Sequence, residues 1–177
     1  MRRGGMLCET ILENNLTAQG YKIFHPQTES LTTQIATYQG ARKIVSPDNS
    51  ALHLAAFVGN RHQEIAIILR RKYGAVDLLP QITAFNGREP LIIDAIRKIW
   101  VQEERVPANW GHYAEINFEN IYQKLLDNGF INADPAWRNI GPWLIKRAIS
   151  DLKAKNAGEL SPVDPDFDPP ILEANYF

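Results

Sequence analysis

The residues able to do chemistry in this chain gather at two places. The first is His25, set between the apolar pair Ile23-Phe24 and Pro26. An imidazole titrates near neutrality, so it can donate to a phosphate or serve as a base. The second is Ser46-Pro47-Asp48-Asn49-Ser50, followed one turn later by His53. This segment leads from an apolar run into a helical pattern. Its amides and hydroxyls could hold a phosphate at the positive end of that helix. Asn49 or Ser50 acting as a plain helix cap accounts for the same residues. Asp48 repels phosphate and suits a sugar hydroxyl or a lysine instead. Ser46 or Ser50 with His53 is the one nucleophile–base set, and it lacks the Gly-x-Ser-x-Gly elbow of a hydrolase. His62 and His112 complete the histidines, and none has metal-ligand spacing; no dinucleotide fingerprint or phosphate loop is present. With Cys8 the only cysteine, an intrachain disulfide and a thiolate metal cluster are excluded, and Cys8 reads as structural.

Those residues are positioned by Tyr21 to Val58, which reads as strand, helix, strand, helix. Ile23-Phe24 suits a short buried strand ending at Pro26. Ser30 is a cap for a helix with Leu31, Ile35 and Tyr38 on one face, closed by Gly40. Ile44-Val45 is a second strand, stopped at Pro47, and a helix starts near Asn49 or Ser50. This is the β-α-β unit of a parallel sheet, in which ligands bind beyond the carboxyl ends of the strands. Around it, Glu9 to Ala18 forms a helix stopped by Gly20, and Glu64 to Leu69 a third strand. The basic run Arg70-Arg71-Lys72 reads as solvated, with phosphate contact the sharper alternative. Asp77 to Ala84 reads as a short helix broken by Pro80, before the turn Asn86-Gly87. Pro90 to Val101 reads as a strand and Pro107 to Tyr113 as a loop, from which Trp110 and Tyr113 could stack on a sugar or base. Asn117 caps a helix ended by Asn128-Gly129. Pro142 to Lys155 is the last helix, with Trp137 and Trp143 packing between the last two. The stretch from Ser161 to Pro170 holds four prolines and reads as irregular.

The 177 residues suit one domain with a small appendage, divided as 1–158 and a proline-rich tail, 159–177. A hydrophobic share of 45% is enough for a real core, and a net charge of −1 gives no bulk affinity for nucleic acid or anionic membrane. No apolar run reaches membrane-span length and no signal peptide is evident, so the expectation is a cytoplasmic chain without an integral membrane segment.

The opening stretch resembles the catalytic domain of the family 61 (DUF563) glycosyltransferases, which include capsular-polysaccharide biosynthesis proteins. Tyr21, Phe24 and Pro26 match the first strand of that pattern. Leu31, Gln34 and Ile35 match its helix, Ala41, Ile44 and Val45 its next strand, and Ser50, Ala51 and Leu52 its last motif. Arg3 and Glu9 match an earlier arginine–glutamate segment. The resemblance covers residues 2–70. Gln27 stands where the family has glutamate, and Asp48-Asn49 where it has histidine and glycine.

The resemblance implies an α/β, three-layer Rossmann-like domain with a parallel sheet, one half of a two-domain GT-B glycosyltransferase. It implies a nucleotide-sugar donor as substrate, inversion at the anomeric carbon, no obligatory metal or cofactor, and a glycan or polysaccharide acceptor. Arg3, Glu9, His25, Gln27, Ser46, Asp48, Asn49, Ser50 and His53 are the candidate donor-binding residues, with the catalytic base unassigned. Another domain, a partner chain or a homo-oligomer would complete the cleft. The alternative is a non-catalytic binding or assembly module of the same fold.

Overall fold

The computed structural model describes residues 5–102, 112–156 and 159–164. At its centre are three parallel strands, β2 (Lys43–Pro47), β3 (Glu64–Ile68) and β4 (Leu91–Ile93), in that spatial order. They are joined by α3 (Ala51–Val58) and α4 (Leu78–Asn86). The crossovers follow from the sequence. β3 is a continuous apolar run with Ile65, Ala66, Ile67 and Ile68 all buried, as a strand covered on both faces must be. Pro80 sits in the first turn of α4, where a missing N–H costs little, so that helix is not broken there. Gly87 ends it with φ +68°, the left-handed conformation glycine adopts at a helix stop.

A second sheet has the order β1-β6-β5-β7. It consists of β1 (Gly5–Met6), β5 (Ile96–Gln102), β6 (Tyr113–Ile116) and β7 (Leu160–Val163). β1 and β6 are parallel, while β5 is antiparallel to both β6 and β7. The architecture is therefore a mixed α/β fold with two sheets, not the single parallel sheet expected. The run Pro90 to Val101 divides at Asp94-Ala95 into β4 and β5, so one bent stretch of chain serves both sheets. The irregular tail expected from Ser161 is also revised. Its first residues form β7, and Pro162 is accommodated because β7 is an edge strand.

Side-chain alternation splits the interior in two. Ala66, Ile68 and Ile93 point to one face, where they meet Leu12 and Leu16 of α1 (Glu9–Ala18), Ile121 and Leu125 of α5 (Phe118–Asp127), and Ile145 and Ile149 of α6 (Pro142–Asn156). Ile65 and Ile67 point to the other, against Tyr38 of α2 (Leu31–Gly40), Leu52, Ala55 and Ala56 of α3, and Leu78 and Ile82 of α4. Two caps form as the residue types require. Ser30 Oγ accepts the Thr33 N–H at 3.2 Å, and Asn117 Oδ1 accepts the Asn120 N–H at 3.3 Å. Leu31 and Trp143 are not part of the packing expected of them; they are 62% and 65% exposed. Trp137 does pack, its ring 5.1 Å from that of Tyr122.

The expected strand at Ile23-Phe24 is absent as a paired strand. Tyr21–His25 has no regular secondary structure, with His25 itself extended, and among the described residues no backbone hydrogen bond joins the segment to β2. Its side chains still alternate as in a strand. Tyr21 and Ile23 pack toward the α1 face, while Phe24 packs toward the α2 face, edge-on to Tyr38 at 5.6 Å.

Candidate functional site

Between Tyr21–His25 and β2 lies a cavity of about 850 Å³. β2 gives it Lys43 to Pro47, and the turn beyond β2 gives it Asn49 and Ser50. α1 contributes Glu9, Leu12, Glu13 and Leu16, and the opposite wall is Tyr21 to Gln27 with Gln34 and Tyr38. Of the residues singled out in the sequence, Glu9, His25, Gln27, Ser46, Asn49 and Ser50 line this cavity. Asp48 and His53 do not. Arg3 lies outside the described residues, as do Trp110 and most of its loop.

The turn after β2 is held by its own side chains. Asn49 Nδ2 donates to Ser46 Oγ at 3.1 Å and to the Pro47 carbonyl at 3.0 Å. Asn49 Oδ1 accepts the Ala51 N–H at 2.9 Å. The Leu52 and His53 amides donate to the Asn49 and Ser50 carbonyls, each at 3.2 Å. The capping function of Asn49 is therefore what the structure displays, and the first amides of α3 are already engaged. Ser50 faces the cavity with no side-chain cap bond of its own.

Asp48 is fully buried, pointing away from the cavity into the turn after β3. Its Oδ1 accepts the Arg70 backbone N–H at 3.0 Å and Arg70 Nε at 2.9 Å, and its Oδ2 accepts Arg71 Nε at 3.1 Å. Arg70 also donates to the Asp48 carbonyl. Gly74 lies so close that a Cβ there would stand 1.5 Å from Asp48 Oδ2. The basic run is thus not merely solvated: two of its members neutralise a buried carboxylate and bind the carboxyl end of β2 to that of β3. A buried carboxylate requires such partners. His53 projects from the exposed side of α3, where Nδ1 meets Gln81 Oε1 of α4. It takes no part in the cavity.

The cavity mouth is acidic on the α1 side. His25 Nε2 is 3.6 Å from Glu13 Oε1. Desolvation raises the pKa of the Glu9 carboxyl, Glu13 one turn along adds to this, and Arg70 and His25 act against it. Burial also raises the Tyr38 phenol on the opposite wall. At the other end Lys43 donates to the Gly129 carbonyl and lies 5.7 Å from the centre of the Phe130 ring, while Lys22 stands across from it. Glu13 and Lys22 belong to this arrangement without having been singled out beforehand, Tyr38 was read only as an apolar helix position, and Arg70–Arg71 was weighed for phosphate rather than for Asp48. For Glu13 the signal available was its spacing from Glu9, four residues on and so on the same helix face.

Among the described residues no group of three histidine, cysteine, aspartate or glutamate side chains is placed to hold a metal ion, and no helix is long and apolar enough to cross a membrane. Comparison with protein-family models, with curated proteins and with solved structures yields no match to this chain.

Proposed function

We propose that this chain is a glycosyltransferase-like domain, the Rossmann-like donor-binding half of a GT-B arrangement, that takes a nucleotide sugar for transfer to a glycan or polysaccharide acceptor. The supporting observation is convergence. Six residues selected for chemistry or for the family 61 resemblance, Glu9, His25, Gln27, Ser46, Asn49 and Ser50, line one cavity that runs along β2, with Ser46, Asn49 and Ser50 at the carboxyl end of that parallel strand. Phe24, Tyr38 and Leu54 offer an apolar wall for a base. His25 and the Ser50 hydroxyl reach toward a diphosphate, and Glu9 accepts from ribose hydroxyls. The acceptor and the other wall of the cleft belong to a second domain, a partner chain or another copy.

One observation favours the second reading, a non-catalytic binding module of the same fold. Asp48, in the position of the family's histidine, is sealed against Arg70 and Arg71 and cannot reach a substrate as a base. Calorimetric titration of the folded chain with a panel of UDP-, GDP- and CMP-sugars tests the proposal. Binding that weakens in Glu9→Gln and Ser50→Ala is expected. Failure of every nucleotide sugar to bind overturns it. Binding without sugar transfer to any glycan acceptor, even with the domain, partner chain or second copy that closes the cleft present, selects the second reading.

A further inference from the structure

β2 has an open edge. The Glu64 N–H donates to the Arg42 carbonyl at 2.9 Å, and the Asp48 N–H to the Ile68 carbonyl at 3.1 Å, so Arg42 and Asp48 turn their backbone groups toward β3. In a parallel ladder this direction alternates, and Ile44 and Ser46 face β3 as well. The N–H and C=O of Lys43 and Val45 then face outward into the cavity, while the Pro47 carbonyl on that side already accepts from Ser46 Oγ and Asn49 Nδ2. Pro47 stands where an edge strand tolerates a missing donor.

The opposite wall is Tyr21–His25, whose side chains alternate between the two faces as those of a strand do. This segment and β2 both begin at the same loop, where Tyr21 Oη donates to the Phe130 carbonyl at 2.8 Å and Lys43 Nζ donates to the Gly129 carbonyl. From there Tyr21–His25 leads toward Glu13 and β2 toward Pro47, with no backbone bond between them and a cavity in the gap. Leu12 and Leu16 close one face of that gap, and Tyr38 and Leu54 the other. Glu9 and Glu13 stand at the end near Pro47, and Lys22 and Lys43 at the other.

We propose that this gap is a docking site for an extended, apolar peptide strand from a partner protein, which adds to the outer edge of β2 with a basic residue toward Glu9 and Glu13 and an acidic residue toward Lys22 and Lys43. A polypeptide is the ligand whose N–H and C=O groups alternate at strand spacing on both sides. The apolar faces above and below call for a strand that is apolar on both sides, as in a buried parallel sheet. The inference goes beyond donor binding and does not rest on it.

The test uses the full chain and a synthetic peptide of about six residues, a usual strand length, with a valine–isoleucine centre, lysine at one end and glutamate at the other. Amide exchange at Lys43 and Val45 is followed by NMR. Both amides exchange readily in the free protein and slow by at least about tenfold when the peptide saturates. N-methylation of the peptide residues that face β2 abolishes binding, and exchanging the two charged ends weakens it by about tenfold. Lys43 and Val45 amides already slow in the free protein, a peptide that binds without protecting them, indifference to N-methylation, or no binding at all would each overturn the proposal. Nucleotide-sugar titrations are independent of this readout, so the two readings fail separately.

Discussion

Replacing Gly74 with alanine probes the Asp48 knot directly. The backbone at Gly74 is not left-handed, so the substitution is purely steric in its effect. The new Cβ would lie 1.5 Å from Asp48 Oδ2 and 2.5 Å from its Cγ. Asp48 cannot swing aside, because its Oδ1 is held by the Arg70 amide at 3.0 Å and Nε at 2.9 Å. The turn must therefore withdraw, stretching the 3.1 Å contact with Arg71. Overpacking costs roughly 1–3 kcal/mol, and a weakened buried hydrogen bond roughly 1 more, giving about 3 kcal/mol. At this chain length that lowers Tm by about 6–12 °C. Asp48→Ala removes the obstruction and takes from Arg70 and Arg71 the carboxylate they share. Their side chains are 21% and 37% exposed, so water recovers part of the loss and the cost is about 2–3 kcal/mol, below that of a fully buried pair. In the Asp48→Ala background Gly74→Ala should cost under about 1 kcal/mol, a coupling of about 2 kcal/mol. Urea denaturation of the four proteins with a constant m-value measures it. Additivity within about 0.5 kcal/mol would refute the steric argument.

Tyr21→Phe should cost about 1 kcal/mol at neutral pH, through the lost bond to the Phe130 carbonyl. Burial, with Glu64 second, pushes the Tyr21 phenol up to about 12, so folding favours its protonated form. The unfolded chain sheds that proton first, near pH 10. Stability at this position is complete below that pH and falls between pH 10 and 12; because the phenol is only half-buried, solvent screening holds the loss to roughly 1–2 kcal/mol. The phenylalanine variant lacks that loss, so its deficit should shrink and reverse as pH rises; an equal deficit at pH 8 and pH 11 would contradict this. Phe118 is 1% exposed and Trp143 65%. Phe118→Ala should therefore cost about 3–5 kcal/mol and Trp143→Ala no more than about 0.5 kcal/mol in denaturant unfolding.

Local signals in the chain are readable where one residue decides the outcome. Ser30, Asn117, Gly87 and Gly129 cap or stop helices through their own side chain or φ, and each acts as its type suggests. The β2–α3–β3 unit is legible for a related reason: Ile65 to Ile68 can be nothing but a strand buried on both faces. Pairing between distant segments is not written locally. Nothing in Gly5-Met6 announces a partner at Tyr113-Ala114, and Tyr113, taken as loop, opens a strand. Leu160–Val163 is a strand because β5 offers it an edge, although Pro162 argues otherwise in isolation. Ile23-Phe24 has strand composition and strand alternation but no partner, since composition describes faces and not hydrogen bonds. At the site, residue type placed six groups beside one cavity. It could not reveal that Asp48 turns inward, because that depends on Arg70, Arg71 and Gly74, more than twenty residues on.

The ties that hold α1 in place have a consequence for how the protein is made. Asn15 bonds the backbone of Arg138, Gln19 reaches Asp134, and Tyr21 reaches Phe130, across 123, 115 and 109 residues of sequence. β1 likewise waits for β6. On the ribosome, β2, β3 and β4 with their two crossover helices can assemble as they emerge, while these long-range ties wait until α5 and the chain beyond it leave the exit tunnel. The apolar side of α1, with Leu12 and Leu16, can rest on β3 and β4 by then, but α5 and α6 complete its burial only late in synthesis. That face of α1, rather than the central strands, is where a chaperone would be expected to hold the growing chain.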